Sequence, residues 1–80
     1  MEPVERLRAV PSVEGVLRKA EDDGLLNDLP RPLAARAVRR ALDRERRRIL
    51  SGVFADVDDE TLREEAVERA LEAVRRAGSE

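Results

Sequence analysis

Eighty residues make one domain at most, and a chain this short hides only about 60% of the surface it exposes when unfolded. It has no cysteine and no histidine, which excludes disulfides, thiolate metal sites, a thiol nucleophile and the commonest general base near neutral pH. The core material is Leu, Val, Ala and Ile with Phe54 as the one aromatic, so a thin core and modest stability are expected.

In chain order, the first segment, Glu2 to Val10, places Val4, Leu7 and Val10 on one side and reads as a short helix or helical turn. Pro3 suits its first turn and Pro11 stops it. Ser12 is a natural N-cap for the next helix, with Glu14 well placed against the helix dipole. Val13, Val16, Leu17 and Ala20 then follow at helical spacing, Gly15 weakens the helix, and Gly24 suits a left-handed cap. Leu25, Leu26 and Leu29 form an apolar connector, broken by Leu29-Pro30-Arg31-Pro32.

From Pro32 to about Ser51 runs the strongest helical pattern. Ala34, Ala37, Val38, Ala41, Leu42 and Ile49 share one face, and Gly52 is placed to end the helix. Val53 to Val57 is a connector with Phe54 packed inward. Asp58 caps the last helix, whose stripe is Leu62, Ala66, Val67, Ala70, Leu71, Val74 and Ala77. No alternating strand pattern and no internal repeat occurs. The fold class is all-α, a small bundle of three to four helices. Its expected core is Val13, Val16, Leu17, Leu26, Val38, Ala41, Leu42, Ile49 and Phe54.

Charge is small in total and uneven in place. Residues 1–30 hold seven acids and four bases; residues 31–55 hold eight arginines and two acids; residues 56–80 hold nine acids and four arginines. The middle segment is therefore at +6 in a chain whose total is −2. At about 100° per residue, Arg36, Arg39, Arg40 and Arg47 fall in one sector opposite Ala34, Val38 and Ala41, with Arg44 and Arg48 flanking it. Two readings stay open. The stripe is a solvated face paired with Glu64, Glu65, Glu68 and Glu72 of the last helix, or it is a phosphate-binding ridge of arginine forks. No aromatic platform accompanies it, which argues against single-strand readout and leaves recognition of a folded RNA by backbone and shape.

Other chemistry finds no support. There is no Walker loop or dinucleotide fingerprint, and Asp56, Asp58, Asp59 and Glu60 lack EF-hand spacing. No stretch has the length of a signal peptide core or a membrane span, so a cytoplasmic location is expected.

Leu7-Arg8-Ala9-Val10-Pro11-Ser12-Val13, then Val16-Leu17 and Leu25, resembles the opening of bacterial selenocysteine synthase, L-seryl-tRNA(Sec) selenium transferase, which runs LR-x-LPSV-x-x-LL. The family's following helix has A-x-R-x-x-L-x-x-x-R-x-x-I character, here Ala37, Arg39, Leu42, Arg46 and Ile49. The likeness spans about residues 6–50. It departs at Val10, where Leu is usual, and at Leu29-Pro30-Arg31-Pro32, which replaces a Gly-Arg-containing approach and leaves the role of Arg31 open.

The resemblance implies two parts: residues 1–55, an N-terminal helical tRNA-binding domain, and residues 56–80, a helical linker or docking helix toward a catalytic domain that this chain lacks. It implies no catalysis and no cofactor in this chain. Pyridoxal phosphate belongs to the parent enzyme's other domain, where seryl-tRNA(Sec) becomes selenocysteinyl-tRNA(Sec). The implied partners are tRNA(Sec), gripped by its body, and the catalytic domain of an enzyme homo-oligomeric at full length, with no DNA and no membrane. Together with the charge pattern it nominates Arg36, Arg39, Arg40, Arg44 and Arg47 as the tRNA-binding residues. The alternative is a helical protein–protein interaction module using the apolar stripe of the last helix.

Overall fold

The computed structural model describes residues 3–79. A 3-10 helix at Pro3–Ala9 is followed by α1 (Val13–Asp22), α2 (Arg31–Leu50) and α3 (Asp59–Ser79), and no strand occurs among the described residues. The fold is all-α. The two long helices run against each other through the Ser51–Asp58 turn, and α1 with the 3-10 helix closes over them. The molecule is elongated, 41 × 20 × 16 Å, because α2 and α3 are each about 30 Å long.

Each helix boundary has a local cause. The Ser12 hydroxyl accepts a hydrogen bond from Gly15 N–H at 3.0 Å, satisfying one free donor of the first turn of α1. A methyl group at Gly15 would stand 3.0 Å from that same hydroxyl oxygen, so glycine here makes room for the cap. Asp58 caps α3 in the same way, accepting from Thr61 N–H at 2.8 Å. Gly24 and Gly52 have φ of 77° and 84°, the left-handed geometry that lets a chain fold back on its last carbonyls. Around each, the next residue's N–H reaches back to the last turn: Leu25 to the Ala20 carbonyl and Val53 to the Arg48 carbonyl. α2 starts at Arg31, with Pro32 in its first turn, one residue earlier than the proline alone suggests.

The main core joins all three α-helices: Val16, Leu17 and Ala20 of α1, Val38, Ala41 and Leu42 of α2, and Ala66, Ala70, Leu71 and Val74 of α3. A second cluster of Ala9, Ile49, Phe54 and Leu62 seals the end of the bundle where α2 turns into α3. Phe54 is thus buried as expected, at the end of the bundle rather than its middle. Two expected core residues, Val13 and Leu26, are half-buried and pack against the core edge. The side chain of Val4 lies outside the described residues. The 3-10 helix buries Ala9, with Leu7 and Val10 half-buried beside it.

The apolar stripe of α3 is consumed by this bundle. Leu62, Ala66, Ala70, Leu71 and Val74 are each 0–2% exposed. Polar ties add to the packing. Arg6 pairs with Asp59 at 3.2 Å and also donates to the Phe54 carbonyl, and Arg63 Nε reaches the Ala9 carbonyl at 3.4 Å. Arg31, whose role the sequence left open, bridges Glu14 and Glu21 of α1 at 3.2 and 3.1 Å and so ties the start of α2 to α1.

Candidate nucleic-acid interface

Arg36, Arg39, Arg40, Arg44 and Arg47 are all exposed, as the helical wheel requires once Val38, Ala41 and Leu42 face inward. None of the five makes an ion pair among the described residues, and neither does the exposed Arg48. Pairing of these arginines with the acids of α3, one of the two readings the sequence left open, does not form among the described residues. Glu65 instead holds Arg69 within its own helix, and Glu72 holds Arg75 and Arg76. Asp43, inside the arginine sector by its angle, pairs with Arg46 at 2.7 Å. The α2 face therefore keeps its positive charge.

The one ion pair across the α2–α3 interface among the described residues runs the opposite way. Glu45 of α2 is 2% exposed and receives Arg69 of α3, whose Nη1 lies 3.2 Å from one carboxylate oxygen and 3.1 Å from the other. The same guanidinium sits over the Phe54 ring, 5.5 Å from its centre. Glu45 was visible in the sequence as an acid interrupting the run Val38, Ala41, Leu42, Ile49. Its partner was not, because α3 supplies it from 24 residues away.

The five nominated arginines do not all share one surface. Arg40 and Arg44, with Arg48, line an open groove between α2 and α3, whose cavity volume is about 720 Å³. Arg36, Arg39 and Arg47 lie outside that lining. A second cleft, of about 500 Å³, opens at the turn between the helices. It is lined by Ile49, Phe54 and Val57 and bounded by Arg6 and three aspartates, Asp56, Asp58 and Asp59, an environment hostile to phosphate. Hydrogen bonds from the Thr61 hydroxyl and then its backbone N–H hold the Asp58 carboxyl below its ordinary range, with Arg6 nearby adding to the effect. Among the described residues no three acids converge into a metal-binding set, and no helix is long and apolar enough to cross a membrane.

Comparison with protein-family models matches residues 7–46 to the family described as selenocysteine synthase N terminal. The chain belongs to that family. No curated protein and no solved structure matched it. The match begins in the 3-10 helix, crosses α1 and the proline-rich connector, and includes Arg36, Arg39, Arg40 and Arg44 of α2. It stops before Arg47 and before α3, so the partnership of α3 with α2 is a finding of the structure alone.

Proposed function

We propose that this selenocysteine synthase N-terminal domain binds tRNA(Sec) through the arginine face of α2, on behalf of a separate pyridoxal phosphate-dependent domain that performs the selenium transfer. The observation that carries the reading is the set of exposed α2 arginines left without ion pairs while Glu65 and Glu72 of α3 are held by arginines of their own helix. Planar guanidinium forks suit phosphate oxygens, and paired surface charges would first have to be released. With no aromatic on this face, contact is to backbone and shape rather than to stacked bases. A domain of this kind selects the tRNA body while the reacting end lies in the other domain, and the two contacts reinforce each other through effective concentration.

The chain's own residues do not fit the cofactor. Lys19, its single lysine, is exposed on α1 and lines neither cleft, so no step of the chemistry is assigned here. The interaction-module alternative drew on the apolar stripe of α3, and that stripe is already buried in the bundle.

The test is a titration of tRNA(Sec) against wild type and the Arg36→Glu/Arg40→Glu/Arg47→Glu variant, with circular dichroism as the folding control. Wild-type binding is expected to be weak and salt-sensitive, falling by on the order of a hundredfold or more between low and moderate salt for four or five phosphate contacts. The variant, still helical, is expected to lose binding. Equal binding by both at low salt removes this face.

A further inference from the structure

We infer that the groove between α2 and α3 is a seat for one backbone strand of a duplex arm of RNA, and that Arg75 and Arg76 of α3 form its second wall. This rests on the RNA-binding reading above and extends it to residues that neither the arginine stripe nor the family match includes.

The floor of the groove is Ala37, Ala41, Ala73 and Ala77. Small side chains on both helices leave the channel open where larger ones would fill it. Six arginines line it: Arg40, Arg44 and Arg48 from α2, and Arg69, Arg75 and Arg76 from α3. Three glutamates accompany them, Glu45, Glu68 and Glu72, which leaves the lining at a net +3. Glu45 is spent on Arg69, deep at the interface. Glu72 is one carboxylate shared by Arg75 and Arg76, each at 3.5 Å, so this trio keeps a positive charge and holds both guanidiniums at the groove. Such exposed pairs are worth little, and a phosphate can displace them without a large penalty.

The spacing fits a strand. Arg40, Arg44 and Arg48 recur every four residues, a rise of about 6 Å per step along the helix. That repeat is close to the distance between successive phosphates on one strand, so each arginine can take one phosphate. Arg75 and Arg76 stand in the last turns of α3, beside the half of α2 that holds Ala37 and Arg40. A strand in the groove is gripped from both sides there. The lining offers no aromatic to an unstacked base, so contact is with the backbone and independent of sequence. Glu68 is the discordant member: it is exposed, lines the groove and makes no ion pair among the described residues.

The experiment titrates tRNA(Sec) against four forms of the full chain at several salt concentrations, with helicity checked for each. These are wild type, Arg75→Gln/Arg76→Gln, Glu68→Gln, and an outer-face variant, Arg36→Gln/Arg39→Gln/Arg47→Gln. The α3 pair is expected to weaken binding on the order of tenfold and to lower the slope of log affinity against log salt by about 1.5 to 2, as two phosphate contacts disappear. Glu68→Gln is expected to tighten binding about two- to threefold at low salt by removing like-charge repulsion. A gain of this kind cannot come from unfolding. If the α3 pair or Glu68→Gln binds like wild type while the outer-face variant loses affinity, the groove is wrong and the RNA-binding reading stands. If wild type does not bind, or no variant and no salt change alters binding, both fall.

Discussion

Removing Arg69 should be the most damaging single change of a surface-reaching residue in this domain. Arg69 is 40% exposed at its side chain, yet it neutralises Glu45, whose side chain is 3% exposed, and it packs over Phe54. Arg69→Ala leaves a buried carboxylate without a partner. Breaking a fully buried pair costs about 3–5 kcal/mol. Here the vacated space opens to water on the side where Arg69 emerged, which lowers the cost to about 2–3 kcal/mol. Loss of the cation–π contact adds about 0.5–1 kcal/mol, and the exposed pair with Glu65 adds almost nothing. The sum, about 3 kcal/mol, is a large part of the roughly 4–12 kcal/mol expected for 80 residues. Glu45→Leu should behave differently. It removes the buried charge, restores apolar packing beside Leu42 and Ile49, and frees Arg69 to turn into solvent, so it should cost less than about 1 kcal/mol or stabilise. Urea unfolding followed by far-ultraviolet circular dichroism gives both values, and the double mutant gives their coupling. Thermally, Arg69→Ala should lower the Tm by more than about 10 °C. An Arg69→Ala midpoint equal to wild type, or a Glu45→Leu cost exceeding that of Arg69→Ala, would refute the assignment of Glu45 as a buried charge that depends on Arg69.

Two further outcomes test the frame that holds the arginine face. Leu42→Ala, at 0% exposure in the main core, should cost about 2–5 kcal/mol in urea unfolding, whereas Leu50→Ala, at 52% exposure, should change stability by less than about 0.5 kcal/mol. The Asp58 carboxyl is held below its ordinary value of 3.8, so its cap stabilises fully above that value and the contribution is lost as pH falls below it toward the lowered folded value. Asp58→Asn keeps a capping oxygen but cannot be protonated. Its Tm should therefore fall less steeply than that of wild type below about pH 4.

The sequence makes the elements legible because their signals are local. Ser12, Gly24, Gly52 and Asp58 each act within four or five residues, and each does in the structure what its position implies. The direction of the α2 arginines was equally readable, since burying Val38 and Leu42 fixes where Arg36, Arg40 and Arg47 point. What could not be read is how one helix meets another. Complementary charge totals on α2 and α3 suggested pairing between them, but pairing needs side chains at matching heights and angles. Glu65 and Glu72 of α3 find arginines three or four residues away on their own helix instead. The groove depends on alanines of two helices meeting at the same level, a coincidence with no signature in either segment. Val13 and Leu26 have the pattern of core residues but stand at the start of α1 and in the connector after it, where they pack half-buried on the edge of the core.

On the RNA-binding reading proposed above, the segregation of charge has a consequence for how the domain meets its partner. A chain at −2 overall exerts no long-range pull on a polyanion, and beyond a Debye length of about 8 Å at physiological salt its faces act separately. An RNA that approaches α1 meets Asp22 and Asp23 and the Arg31-bound Glu14 and Glu21 beside Arg18 and Lys19, and one that approaches the turn between α2 and α3 meets Asp56, Asp58 and Asp59. Among the described residues the densest set of arginines without ion pairs is on α2 and its groove, while Arg8, Arg18 and Arg63 stand singly elsewhere. The acids thus restrict orientation while the arginines supply attraction, since like-charge contact penalises docking at the acidic patches. A uniformly basic domain would bind any RNA more tightly and in many poses. On the proposed reading this one would give up affinity for fewer poses, which is useful where a second domain must receive the other end of the same molecule.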